Sequence, residues 1–172
     1  MLYYIHKAIT AAFPNVDTEY GMTKTMTNTQ KMALYVASAL WMIWGLVHIL
    51  AGVMIVSLSG VDMFTAIGGK VDPSELADSY HPLINAILNQ HGWNLGFAGL
   101  WTAVASVFIW RGNMTAIWTT AAVGGFVDIG YFVFIDLGGF GVFLPGGLMT
   151  YVSATAIVLS GWVWVSNSLK TK

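Results

Sequence analysis

Four long stretches of this chain are apolar with little interruption: about Met32 to Leu58, Leu83 to Trp110, Thr115 to Ile135 and Val142 to Ser166. Each reaches or exceeds the roughly 20 residues of α-helix that cross a hydrocarbon layer about 30 Å thick. A spanning strand needs only about ten residues and alternates apolar with polar positions. These runs do not alternate. The pattern predicts an all-α integral membrane protein, an antiparallel bundle of four transmembrane helices. The membrane domain covers 32–172, with spans at 32–58, 83–110, 115–135 and 142–166 and an extracytoplasmic loop at 59–81. A cytoplasmic N-terminal segment, 1–31, precedes it.

The links between the runs agree with this division. Arg111-Gly112-Asn113 has room only for a tight hairpin, and a glycine-rich turn, Asp136 to Gly141, joins the third run to the fourth. The second run is the least uniform, because Asn85, Asn89, Gln90, His91 and Asn94 crowd its first half. Pro82 fits in its first turn, where a missing N–H has no partner to lose. In the long loop, Asp72 suits the cap of a short helix, with Glu75 in the reciprocal position. The Thr-rich segment from Thr23 to Thr29 leads to a cap for the first span.

The first 31 residues lack the layout of a removable signal peptide. Leu2, Ile5, Ile9, Ala12 and Phe13 recur at helical spacing before Pro14. That spacing fits a short amphipathic helix lying in the inner interface; the alternative is a partly ordered tail.

Composition supports the membrane reading. Only 9% of residues are charged and mean hydropathy is +0.68, whereas soluble domains carry about 25% charged residues. Cysteine is absent, which removes disulfides, thiolate metal sites and cysteine nucleophiles. With a net charge of -1 and no basic cluster, nucleic acid is excluded as a partner. The lipid bilayer is the first expected partner. Basic residues near span ends set orientation. Lys24, Lys31, Arg111, Lys170 and Lys172 share one side of a four-span chain, while Lys70 faces Asp62, Asp72, Glu75 and Asp78 on the other. Both termini are therefore expected in the cytoplasm of a cell-membrane, multi-pass protein. Trp110, Trp118, Trp162 and Trp164 fall where an inner aromatic belt would lie.

Three titratable residues lie within the spans: His48, His91 and Asp128. Such groups are expensive in lipid and usually face the bundle interior or a cavity. Counted from the outer ends at about 1.5 Å per residue, they come to roughly 15, 13 and 12 Å depth. The expectation is one outer-leaflet site on the first three helices, with the fourth mostly packing. Gly45, His48 and Gly52 share a helix face; Gly92, Gly96 and Gly99 form a second small-residue stripe; Gly124, Asp128 and Tyr131 make one patch. Trp44, Asn94, Tyr131 and Asn89 are the expected ligand-contacting or supporting residues.

Two imidazoles and a carboxylate can ligate zinc or iron with positions left for water or substrate. Two histidines on separate helices can hold haem iron. A His–Asp pair can move protons, because the carboxylate fixes the imidazole tautomer. The bland reading of all three is interhelical hydrogen bonding. His81 at the outer mouth reads as an exposed loop residue, and His6 has no catalytic assignment. Three functions stay open. The first is a small enzyme or binding protein that holds a metal or ligand, or performs acid–base chemistry on a hydrophobic small molecule at His48, His91 and Asp128. The second is a transport or channel subunit working as an oligomer. The third is an accessory protein with a polar packing cluster.

Overall fold

The computed structural model describes residues 26–76 and 80–168. The expected interfacial helix and His6, Lys24, Asp78, Lys170 and Lys172 lie outside them. The described residues form five α-helices with short 3-10 and π-helical turns, and contain no strand. Four helices, counted with their π-helical turns, are long and apolar enough to cross a membrane.

The first, α1 (Asn28–Ser57), starts at a capping box. The Thr27 hydroxyl accepts the Gln30 N–H at 3.3 Å, and Gln30 Oε1 accepts the Thr27 N–H at 2.9 Å. Two of the helix's orphan donors are thereby satisfied, as the Thr-rich lead predicted. Gly60, at φ 58°, turns the chain into the short α2 (Val61–Ile67). A single 3-10 turn, Pro73–Glu75, follows and is capped by Asp72. The Ser74 N–H and hydroxyl both donate to that carboxylate, holding it below its ordinary pKa. The reciprocal bond from the Asp72 N–H to Glu75 is not among the described bonds.

α3 (Pro82–Trp110) opens with Pro82 in its first turn and His81 as its cap, Nδ1 accepting the Leu83 N–H. The Arg111–Asn113 hairpin turns at Gly112, φ 77°, and Asn113 caps α4 (Met114–Tyr131) by accepting the Ala116 N–H at 2.8 Å. α4 runs on into a π-helical turn, Phe132–Asp136, and a second such turn, Phe143–Gly147, leads into α5 (Leu148–Ser168).

α1 is central: it packs on α3 and on α5, and α4 closes the group against α3 and α5. The α1–α3 contact is set by glycine. A Cβ on Gly45 would lie 2.6 Å from the Gly99 carbonyl oxygen, and one on Gly52 2.5 Å from that of Gly92. Only hydrogen at these positions lets the backbones meet. The interior is filled by Leu34, Trp41, Trp44, Ile109, Ile117 and Val163, each at most 2% exposed. Outward-facing positions are apolar too, including Leu50, Trp93, Phe97, Phe126 and Val158. At one end Tyr35 stacks on Trp110 and Trp118 meets Trp164 edge-on.

Candidate buried His–Asp site

The site grows from one turn of α1. Trp44 and His48 stand four residues apart, so their rings stack, with centroids 3.6 Å apart and planes 19° from parallel. Nδ1 of His48 lies 2.8 Å from the Trp44 carbonyl oxygen. A carbonyl only accepts, so Nδ1 carries a hydrogen and Nε2 is the nitrogen left to face outward from α1. It faces Asp128 of α4, with Nε2 3.9 Å from Oδ1. The other carboxyl oxygen, Oδ2, accepts the Trp44 indole N–H at 2.7 Å. From α5, the Ser153 hydroxyl lies beside the same carboxyl and donates to the Thr150 carbonyl oxygen at 3.0 Å.

Packing explains why these groups meet. Gly124, one turn before Asp128, lets the Trp41 ring lie against α4; a Cβ there would strike the ring. Trp41 and Trp44 are fully buried and pack edge to face. His48 is 9% exposed and Asp128 4%. The polar cluster is thus enclosed by aromatic rings and helix backbones, where electrostatic interactions are stronger than in water.

His48 and Asp128 come together as expected, and Trp44 supports both. His91 does not join them. Gly45 packs on Gly99 and Gly52 on Gly92, which sets position 48 of α1 level with position 96 of α3. His91 is five residues from that level, about 7–8 Å along the axis, and its side chain is exposed. Depth counted from Pro82 misplaced it because the glycine register sets the end of α1, Ser57, level with position 87, so α3 begins about five residues farther out than α1 ends. Among the described residues no group of three or more His, Asp or Glu side chains could hold a metal ion. The expected zinc or iron triad is therefore not assembled.

Asn94 is exposed on α3. Asn89 is half-buried; its Oδ1 and that of Asn85 are buried with no partner, on the α3 face that carries Gly92 and Gly96. Tyr131 packs its hydroxyl against Gly146 in the turn before α5. None of these three has a described bond to His48 or Asp128. The fourth span places Ser153 beside Asp128 and otherwise packs, whereas α3 supplies no polar side chain with a described bond to the pair. Sequence reasoning gave Ser153 no part in the site. Its i, i+7 spacing to Ser160, on the buried face of α5, was the available signal.

A groove of about 370 Å³ lies on the outside of the α1–α3 contact, lined by Ile49, Gly52, Val53, Trp93, Gly96 and Phe97 among others. Neither His48 nor Asp128 lines it. Comparison with known proteins finds no matching family, curated protein or solved structure.

Proposed function

We propose that this chain is a multi-pass membrane protein whose four long helices cross the bilayer in alternating directions, and that its function rests on a single proton held by His48 and Asp128. The membrane reading is supported by the four apolar helices and by the large apolar side chains on their outer faces. Groups placed so would be unfavourable in water and are at home in lipid. Arg111 and Lys31 lie at one end of the bundle and Lys70 with Asp62 and Asp72 follows the other, which favours cytoplasmic termini in the cell membrane.

One observation carries the proton assignment: Nε2, the nitrogen of His48 not committed to the Trp44 carbonyl, faces Oδ1 of Asp128 at 3.9 Å. Without a further proton, this geometry sets a nitrogen lone pair against a carboxylate. One proton, on Nε2 or on Oδ1, removes that repulsion and leaves an ion pair or a neutral pair with the hydrogen between the two atoms. The activity is acid–base exchange of a proton inside the bundle. It is not chemistry on a molecule in the α1–α3 groove, because the pair does not touch that groove. A transmembrane pore is disfavoured by Leu34, Ile109, Ile117 and Val163, which close the inner half as one apolar layer.

The accessory reading keeps one observation in its favour: Trp44, His48, Asp128 and Ser153 join α1, α4 and α5 and so fix their register. A proton inventory separates the two. Purified protein in lipid nanodiscs is titrated calorimetrically, alongside Asp128→Asn and His48→Gln. The proton-holding reading expects one titrating proton to disappear in either variant and no more than one in the double variant. Identical titrations in all four proteins would leave only the packing role.

A further inference from the structure

The pair sits above a second set of buried polar groups. Ser38 of α1 donates to the Ser106 carbonyl of α3 at 2.6 Å, which puts those two residues at one level. Trp41, three residues on from Ser38, lies against Gly124 of α4, so Thr120, one turn before Gly124, is level with Ser38. On α5, Ser153 meets Asp128 and Ile157 meets Gly125, which brings Ser160 to within a residue or two of the Thr120 level. Each of the four long helices therefore contributes one hydroxyl to a single layer. All four side chains are buried, from 0 to 4% exposed.

Two groups in this region lack partners. The indole N–H of Trp41 and the hydroxyl of Thr120 are buried without a hydrogen bond, and both residues are 0% exposed. Neighbouring helix hydroxyls behave differently. Ser160 donates to Ala156, Thr102 to Ala98 and Ser106 to Ala103, each on its own helix. Thr120 makes no such back-bond, so its hydroxyl is free to serve something in the interior. Leaving a buried donor unmet costs about 1–3 kcal/mol, and polar interior sites of this kind are where buried water is found. The layer is bounded at its inner side by Leu34, Ile109, Ile117 and Val163.

We infer that Trp41 Nε1 and Thr120 Oγ1 bind internal water, enclosed between the hydroxyl layer and Asp128, and that this water is hydrogen-bonded into the proton-holding pair. The water site stands on the unpartnered groups alone, whereas its link to the pair rests on the proton assignment above. Eight residues of α4 separate Thr120 from Asp128, about 12 Å, and the Trp41 ring lies against Gly124 midway between them, so water linking the two passes around that ring.

The test is infrared difference spectroscopy of the protein in nanodiscs, comparing ordinary water with ¹⁸O-water. Internal water gives O–H bands that shift with the isotope. The expected result is such bands in the wild type and in Thr120→Ser, their loss in Thr120→Val and Trp41→Phe, and a shift in Asp128→Asn. Wild-type protein without isotope-sensitive bands, or bands unchanged in a folded Thr120→Val, would overturn the site. Bands lost in Thr120→Val but untouched by Asp128→Asn would overturn the link. Should the proton inventory fail while the bands follow Thr120, the pair assignment and link fall and the water site stands.

Discussion

Replacing Gly52 with alanine adds one carbon where α1 crosses α3. That carbon would lie 2.5 Å from the Gly92 carbonyl oxygen, 2.6 Å from the Gly96 nitrogen and 2.7 Å from the Gly96 Cα. All three are backbone atoms, so no side chain can turn away. Ordinary contact begins near 3.4 Å, and the helices must separate locally by about 0.9 Å to reach it, forfeiting part of the dispersion energy of the whole contact. Overpacking of this kind costs about 1–3 kcal/mol. Gly96→Ala is the control, because its added carbon meets only the Gly52 Cα at 3.7 Å, an ordinary distance. Both substitutions exchange glycine for alanine inside a helix, so the propensity gain of up to about 1 kcal/mol cancels between them. Equilibrium unfolding in mixed micelles with increasing sodium dodecyl sulfate measures the difference. Gly52→Ala should be less stable than Gly96→Ala by about 1–3 kcal/mol. Equal stabilities would refute the backbone contact, and with it the helix register that separates His48 from His91.

Three further outcomes follow. Trp44→Phe keeps an aromatic side chain but removes the indole N–H and its 2.7 Å bond to Asp128; a bond to a charged group is worth about 1.5–3 kcal/mol, and with the space left by the smaller ring the same micelle titration should show a loss of at least that size. His91→Ala removes an exposed side chain outside the pair, so stability should change by less than about 0.5 kcal/mol and the proton inventory should be unaltered. The chain has no cysteine, which makes labelling of introduced ones clean. Asn113→Cys and Lys70→Cys should react with a membrane-impermeant maleimide from opposite sides of sealed vesicles, and reaction from the same side would contradict the four-span topology.

Much of the fold was legible because its causes are local in sequence. Apolar run length marked the four long helices to within a few residues, Pro82 and the Arg111–Asn113 hairpin marked two boundaries, and the two glycine stripes proved to face each other. The π-helical turn at Phe132–Asp136 was not legible, since no residue in it announces a widened turn. His48 and Asp128 could be paired in advance because each shares a helix face with a glycine that lets a neighbour approach. His91 could not be excluded, because its level depends on how far α3 slides along α1, which glycine-to-glycine contact decides and run length does not. Thr120 was hidden for a different reason: helix hydroxyls usually bond their own backbone, and only the assembled interior shows that this one does not.

The central claim concerns one proton shared by an imidazole and a carboxyl, and the ring nitrogens of His48 report it most directly. Nitrogen-15 magnetic resonance of histidine-labelled protein in lipid, compared with Asp128→Asn, resolves which nitrogens carry hydrogen. The structure predicts a protonated Nδ1 in both proteins and an Nε2 signal that moves markedly when Asp128 is replaced. An Nε2 signal indifferent to that replacement, or an Nδ1 without hydrogen, would contradict it.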